Sequence, residues 1–215
     1  MTPITPQLLP EIFDVLRQKI NQHAEEATAL DQAIGDGDHV INLQRGLDAL
    51  CAQASEYPNL SWPEALQKIG MTVLSTLGGA SGSLYGTMFL TLAKQLPAHP
   101  TVSDFATAFT AAVAAMKKRG KAEAGEKTLL DVYIPVAQTL QQAADSALPL
   151  SEILQRIVAA AQQGAAATRD MIATKGRASF LGERSKGYFD PGARTAEWLI
   201  EALVAQLNPD THNIT

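Results

Sequence analysis

The sequence predicts an all-α fold, on three observations. Apolar residues recur at three- and four-residue spacing along most of the chain, the period of a helix with one buried face. Alanine-rich runs such as Ala159 to Ala167 accompany an aromatic content of only 6%, a balance that favours helices packed closely through small side chains over stacked sheets. Serine, threonine and aspartate open the periodic segments and glycine tends to close them, the usual punctuation of helix ends. With 215 residues, 46% hydrophobic and 18% charged, the chain has enough apolar side chain for one core, and a single domain over residues 1–215 is expected.

Taken in order, Leu9, Ile12, Phe13, Leu16 and Ile20 place a first amphipathic helix over about residues 7–30. Ile41, Leu43, Leu47 and Leu50 carry a second, and Ser61 with Glu64 three residues on forms a capping box for a third, which holds Leu66, Ile69, Val73 and Leu74. A glycine-rich break at 78–83 precedes a fourth, "SLYGTMFLTLAKQL". Ser103 opens a fifth, closed by Lys117, Lys118, Arg119 and Gly120. A sixth from Thr128 to about residue 147 tolerates Pro135, and a seventh runs from Ser151 to about 174. Asp190 as N-cap and Pro191 in the first turn open an eighth through Leu207. Eight helices without a heptad seam or fixed repeat describe a compact bundle.

A net charge of −5 and a pI near 5.3 give this surface no attraction to nucleic acid or to an anionic membrane. A single cysteine, Cys51, excludes an internal disulfide, and the first residues lack the basic and apolar regions of a signal peptide. A cytoplasmic location is the expectation. The uncharged stretch from Met71 to Ala93 is long enough to span a bilayer, yet it holds four glycines and seven serines or threonines, with "GGASG" at its middle. A buried helix, a break and another helix fit it better.

Four segments, 31–39, 78–83, 120–128 and 175–192, are rich in glycine and polar side chains, and loops of that kind carry chemistry on a rigid helical scaffold. In "LDQAIGDGDH", Gly35 and Gly37 let the backbone fold tightly, so that Asp31, Asp36 and Asp38 can converge. Converging carboxylates need a cation, and oxygen-only ligation suits Mg²⁺ shared with phosphate. An isolated Asp-x-Asp is more often a solvated acidic turn, and the later ligands of an EF-hand are absent. His39, Asn42 and Arg45 follow; each alone is more often a capping or surface residue, but together at a helix N-terminus beside a metal loop they can bond phosphate oxygens. The glycines of "LGGASGSLYG" expose backbone N–H groups before a helix, an anion-accepting arrangement, although glycine-rich turns in helical proteins more often serve close packing.

"GKAEAGEKT" fails as a P-loop, because Glu126 separates Gly125 from Lys127 and no strand precedes it. Lys121 and Lys127 are either phosphate partners or solvated charges, and Thr128 is placed to cap the next helix. Arg177 and Arg184 can each fork onto a phosphate, while Phe180 and Tyr188 either cover a base or anchor their loop on the bundle.

In this order, "LDQAIGDGDH", "GGASGSLYGT", "RGKAEAGEKTLLDV" and "KGRASFLGERSKGYFDPGA" resemble the ADP-binding subunit family of bacterial dihydroxyacetone kinases over almost the whole chain. The resemblance implies a closed barrel of eight antiparallel helices with the nucleotide at one end. It implies two Mg²⁺ ions on Asp31, Asp36 and Asp38, and phosphate contacts from His39, Asn42, Gly79, Ala80 and Ser81. Gly120, Leu129, Arg177, Asp190, Pro191 and Gly192 would complete an ADP/ATP pocket, with Leu129 against the base. The implied partners are a dihydroxyacetone-binding kinase subunit and a phosphocarrier subunit of the phosphotransferase system, which rephosphorylates ADP in place. Nucleotide-state sensing for a transcriptional activator and an ATP-dependent triose or tetrose kinase are the alternatives, and a homodimer of the free subunit stays open. Val40, Ser83 and Glu126 stand where this family commonly has glycine, proline and aspartate.

Overall fold

The structure, a computed structural model, describes residues 5–208. Among these residues there are nine α-helices, four 3₁₀ segments and no strand: α1 (Leu9–Gln22), α2 (Ala24–Ile34), α3 (His39–Ala52), α4 (Trp62–Thr76), α5 (Gly79–Gln95), α6 (Val102–Gly120), α7 (Leu130–Asp145), α8 (Leu150–Ala167) and α9 (Pro191–Leu207). From α3 to α9 each helix packs on the next, and α1 lies against both α3 and α9, so that eight helices close a ring. The walls are antiparallel. Glu11 bonds Gln206 and Lys19 pairs with Glu201 along α1 and α9, while Arg17 faces Asp48 and Asn21 bonds Gln44 along α1 and α3.

The ninth helix, α2, stands outside the ring against α3, α9 and the 3₁₀ segment Arg177–Ser185. It exists because the helix expected over residues 7–30 breaks at His23, whose φ of −106° and ψ of 15° leave the helical basin. No glycine or proline signals that break. Its cause is tertiary: the His23 ring stacks on Trp198 with centroids 4.4 Å apart, and Arg194 of α9 bonds Glu26 at 3.1 Å, so α2 is drawn across the barrel end.

The uncharged stretch 71–93 divides between α4 and α5 at Leu77 and Gly78, and no helix among the described residues is long and apolar enough to cross a membrane. Ser61 and Glu64 form the expected capping box, worth about 1 kcal/mol. The fifth predicted helix, however, is capped by Thr101 with Asp104 rather than by Ser103. It ends on Gly120, and Lys121 one residue later takes the left-handed conformation. The sixth and seventh predicted helices are shorter than expected, as α7 ends at Asp145 and α8 at Ala167; Pro135 is carried inside α7.

Glycines inside the walls let helices approach. A Cβ on Gly86 would fall 2.3 Å from Leu74, and one on Gly164 would fall 2.3 Å from the backbone carbonyl oxygen of Asp131. The buried apolar side chains form one large cluster that draws on every helix, with Ile34, Ala173 and Ala178 as a satellite. That satellite fixes the end of α2 to the last long loop, at the end of the barrel where the N-termini of α3, α5, α7 and α9 gather.

Candidate functional site

The acidic loop begins on the last turn of α2. Asp31 is buried, Asp36 and Asp38 are exposed, and one carboxylate oxygen from each lies within 4.8 Å of the other two. Gly35 is what permits this, because a Cβ there would sit 1.9 Å from Asp31 Oδ1. Gly37 adopts a φ of 81°, which turns the chain between Asp36 and Asp38. Oxygen ligands of one Mg²⁺ ion lie about 3 Å apart when adjacent and about 4.2 Å apart when opposite, so a spacing within 4.8 Å lets the three carboxylates close on an ion by side-chain adjustment. An all-carboxylate set suits that ion and excludes a thiolate-type site.

Asp31 Oδ2 also accepts the His39 backbone N–H at 3.0 Å, tying the loop to the start of α3. The His39 ring is held on both sides, with Nε2 2.8 Å from Thr195 Oγ1 and Nδ1 3.4 Å from Ser81 Oγ. Burial pushes its pKa below the ordinary value, against the pull of Asp31, Asp38 and Asp36. Thr195, fully buried on α9, carries no sequence signal of this role beyond its place one turn after Pro191. Asn42 is buried beneath the next segment, and its Oδ1 accepts from Arg45 at 3.2 Å.

The segment expected as a glycine-rich loop at 78–83 is mostly helix. Only Gly78 lies outside, with φ 75°, and α5 begins at Gly79. The reason is local: Gly78 serves as N-cap, and Ala80, Ser81 and Ser83 are unobjectionable in a first turn. Gly78, having no side chain, caps nothing, so the exposed first N–H groups of α5 stay available to an anion. A Cβ at Gly78 would meet Asn42 Oδ1 at 3.1 Å, which places this turn directly over Asn42.

On the other side, Asp190 caps α9 by accepting the Ala193 N–H at 2.7 Å, and its own N–H donates to Thr168 Oγ1 at 3.0 Å. Burial pushes the Asp190 pKa up to about 7; Asp131 and Asp31 add to the rise, and the Ala193 N–H and Lys127 oppose it. Pro191 and Leu129 are buried, and Gly192 packs on Leu129, where a Cβ would come 3.4 Å from Leu129 Cβ and 3.0 Å from Asp190 Oδ2. Gly120 is exposed beside Leu84. Arg177 is mostly exposed and pairs with Asp36 at 2.9 Å, so the last loop reaches the acidic loop directly.

Two assignments change. Lys127 is neither solvated nor free for a phosphate: it is 1% exposed, at a left-handed φ of 60°, and its Nζ donates to the carbonyls of Thr168 and Tyr188. Burial lowers its pKa against the pull of Asp190, Asp170 and Asp131. Phe180 is 85% exposed and therefore anchors nothing on the bundle. Sequence reasoning also missed Asp131, buried at the start of α7, whose two carboxylate oxygens accept the N–H groups of Gly125 and Thr128 and hold the 123–128 loop. The hydroxyl of Thr128 accepts from Leu130 N at 3.1 Å, as a helix-start residue should.

Asp31, Asp36, Asp38, His39, Ser81 and Arg177 thus make one connected group, and Leu129, Asp190 and Gly192 a second. Thr195, which meets His39 and donates to the carbonyls of Pro191 and Gly192, joins them. Gly120 and Ala80 lie on flanking helix ends without a direct bond to either group.

A family model described as the DAK2 domain matches residues 33–205. Over 188 residues the chain is 40% identical to the ADP-binding subunit DhaL of PEP-dependent dihydroxyacetone kinase 1 from Listeria innocua, an alignment that covers 87% of this chain and 89% of that protein. The Escherichia coli ADP-binding subunit is 37% identical over 182 residues, covering 84% and 87%. Rat triokinase/FMN cyclase is 34% identical over 85% of this chain, which corresponds to only 32% of that longer protein. Among solved structures, the dihydroxyacetone kinase of C. freundii in complex with AMP-PNP and Mg²⁺ superposes with a TM-score of 0.72 at 22% identity, over 95% of this chain and 35% of that one, a likeness of fold.

Proposed function

We propose, from the fact that this chain belongs to the DAK2 domain family, that it is the nucleotide-binding subunit of a phosphoenolpyruvate-dependent dihydroxyacetone kinase. The observation that carries the reading is the convergence of three carboxylates beside the uncapped N-terminus of α5. Asp31, Asp36 and Asp38 would hold Mg²⁺, and the N–H groups at Gly79, Ala80 and Ser81 would take phosphate oxygens. His39, fixed between Thr195 and Ser81, and Asn42 would orient the same phosphates. Leu129, packed on Gly192, offers an apolar wall for the base, with Gly120, Asp190 and Pro191 around it.

Phosphoryl transfer asks a protein for position and neutralised charge rather than covalent help. A phosphocarrier subunit would pass its phosphoryl group to the held ADP, and the γ-phosphoryl group would then go to a hydroxyl of dihydroxyacetone on a second partner subunit. In this chain the N-termini of α3 and α5 supply positive potential at the phosphates. Arg177, paired with Asp36, is within reach to add to it. Support for the two partners comes from the names of the Listeria and E. coli relatives, which are subunits of PEP-dependent kinases.

Native mass spectrometry of the purified protein with magnesium, followed by denaturation, tests the reading. Co-purified ADP with bound Mg²⁺ is the expected result. A protein that binds no magnesium nucleotide at all would overturn the nucleotide-subunit assignment. One that exchanges ATP weakly and freely would overturn the phosphocarrier as donor.

A further inference from the structure

We infer that the rim of this end of the barrel is a docking surface for the phosphorylated donor protein, built from two cationic lips of which the second carries exposed apolar side chains; the inference rests on the function proposed above. The first lip is the end of α6. Residues 117–121 carry four cations (Lys117, Lys118, Arg119 and Lys121) and no carboxylate. The second is the loop at 175–186, with four cations (Lys175, Arg177, Arg184 and Lys186) against the single carboxylate of Glu183. That is a net charge of +7 in two short segments of a chain whose total is −5.

The two lips are one surface. Glu126 joins them, since its backbone and side chain bond Thr174 and its carboxylate pairs with Lys175 at 3.5 Å. The buried Lys127 ties the same loop to Tyr188. Lys117, Lys175 and Arg177 have carboxylate partners. Lys118, Arg119, Lys121, Arg184 and Lys186 form no ion pair among the described residues, and all five are exposed. Proteins that only need solubility intersperse charge signs; here one sign is concentrated beside the acidic loop, which gives a directed field at the mouth of the site.

Within the second lip and its flanks lie Ile172, Phe180 and Tyr188, three of the seven large hydrophobic side chains exposed among the described residues. Phe180 is the most exposed of them, at 85%. It is carried by the 3₁₀ segment Arg177–Ser185 between Ala178 and Leu181, which pack inward while its own ring does not. Exposed aromatic rings on a segment that also carries arginine match the composition enriched at protein interfaces.

Charge decides which partner fits. A donor protein arrives with a dianionic phosphoryl group and leaves without it, so a cationic rim favours the loaded form over the spent one. The acceptor arrives with a neutral ketose and leaves with a charged product, which the same rim would retain. The surface therefore suits the donor, with an acidic face around its phosphorylated side chain.

The experiment is a reconstitution of the full kinase from this chain, its substrate-binding subunit and its phosphocarrier loaded from phosphoenolpyruvate. Phosphorylation of ADP on this chain is followed against carrier concentration. For the unaltered protein, raising the salt from low ionic strength to about 0.5 M should raise the carrier KM about tenfold or more, as for steered association. The triple substitution Lys118→Glu, Arg119→Glu and Lys186→Glu should raise it at least as far at low salt and remove the salt response. Phe180→Ala should raise the carrier KM and leave the salt response. Affinity for Mg²⁺–ADP and the rate of transfer from ATP-loaded chain to the substrate subunit should not change. A carrier KM that ignores both salt and the substitutions overturns the inference while the proposed function stands, and so does a slowing confined to the substrate subunit. A kinase that works from free ATP but never from the carrier overturns both.

Discussion

The wall between α7 and α8 and the acidic loop at the barrel end both depend on a glycine lying against an aspartate, and for opposite purposes. Gly164 lets α8 press its backbone onto the carbonyl of Asp131, so the missing side chain serves packing. Gly35 lets the chain fold over the carboxylate of Asp31, so the missing side chain brings together like charges that would otherwise separate. In the wall, contact is the stabilising term. In the loop, contact is a cost that Arg177 and the His39 N–H offset in part and that a bound cation would offset further. Sites of the second kind are maintained against stability, whereas wall glycines are maintained by it.

Substitutions can separate the two regions, and the largest expected effect is in the loop. Asp36→Ala or Asp38→Ala should weaken Mg²⁺–nucleotide binding by roughly two orders of magnitude or more, an interaction worth about 3 kcal/mol. The far-ultraviolet helix signal and the melting temperature without nucleotide should stay level or rise. Isothermal titration with Mg²⁺–ADP beside a thermal melt reads both. If the melting temperature instead collapsed, the loop would be structural and the contrast would fail.

Gly164→Ala is the reciprocal case. Its Cβ would meet backbone that cannot rotate away, so a loss of about 3 kcal/mol is expected, which for a chain of this size is a fall in melting temperature of roughly 10 °C. Nucleotide affinity below the transition should survive within a few fold. A melt unchanged by this substitution would show that α7 and α8 can slide apart freely.

Asp190 sharpens the comparison through pH. Its folded pKa is raised to about 7, above the ordinary unfolded value of about 3.9, so the folded state holds this proton more tightly. The stability it contributes is present below the unfolded value and lost as pH rises through the folded one. Between pH 4 and pH 8 this group should pull the melting temperature down, so Asp190→Asn, which keeps a capping acceptor, should show a melting temperature that falls less, or rises more, than that of the unaltered protein over that window. Equal slopes in the two proteins would mean that Asp190 does not carry this proton. The smallest effect is expected for Gly86→Ala, whose Cβ would meet the side chain of Leu74. Leu74 is 43% exposed and can swing away, so the loss should stay under about 1 kcal/mol.

What the sequence revealed follows from how local each signal is. The capping box at Ser61 and the Asp190-Pro191 helix start are written in four consecutive residues and appear where expected. The convergence of Asp31, Asp36 and Asp38 was legible for the same reason, because the glycines that allow it lie between them. The break at His23 was not, since its causes, Trp198 and Arg194, are some 170 residues away in sequence and nothing in the helical period marks it. Lys127 reads from the sequence as either a phosphate partner or a solvated charge because lysine rarely buries without partners, and its partners are two backbone carbonyls that no side-chain pattern announces. Thr195 and Asp131 were missed likewise: each reads as an ordinary helix residue until the fold brings His39 or the Gly125 turn against it.

The bond between Glu11 and Gln206 joins the first turn of α1 to the last turn of α9, while the acidic loop opens at the other end of those helices. A barrel built in this way can be spliced into a longer polypeptide at either terminus, or cut and rejoined there, with its reactive mouth left open to whatever approaches. The matched region is accordingly nearly all of the Listeria relative and about a third of the longer rat one.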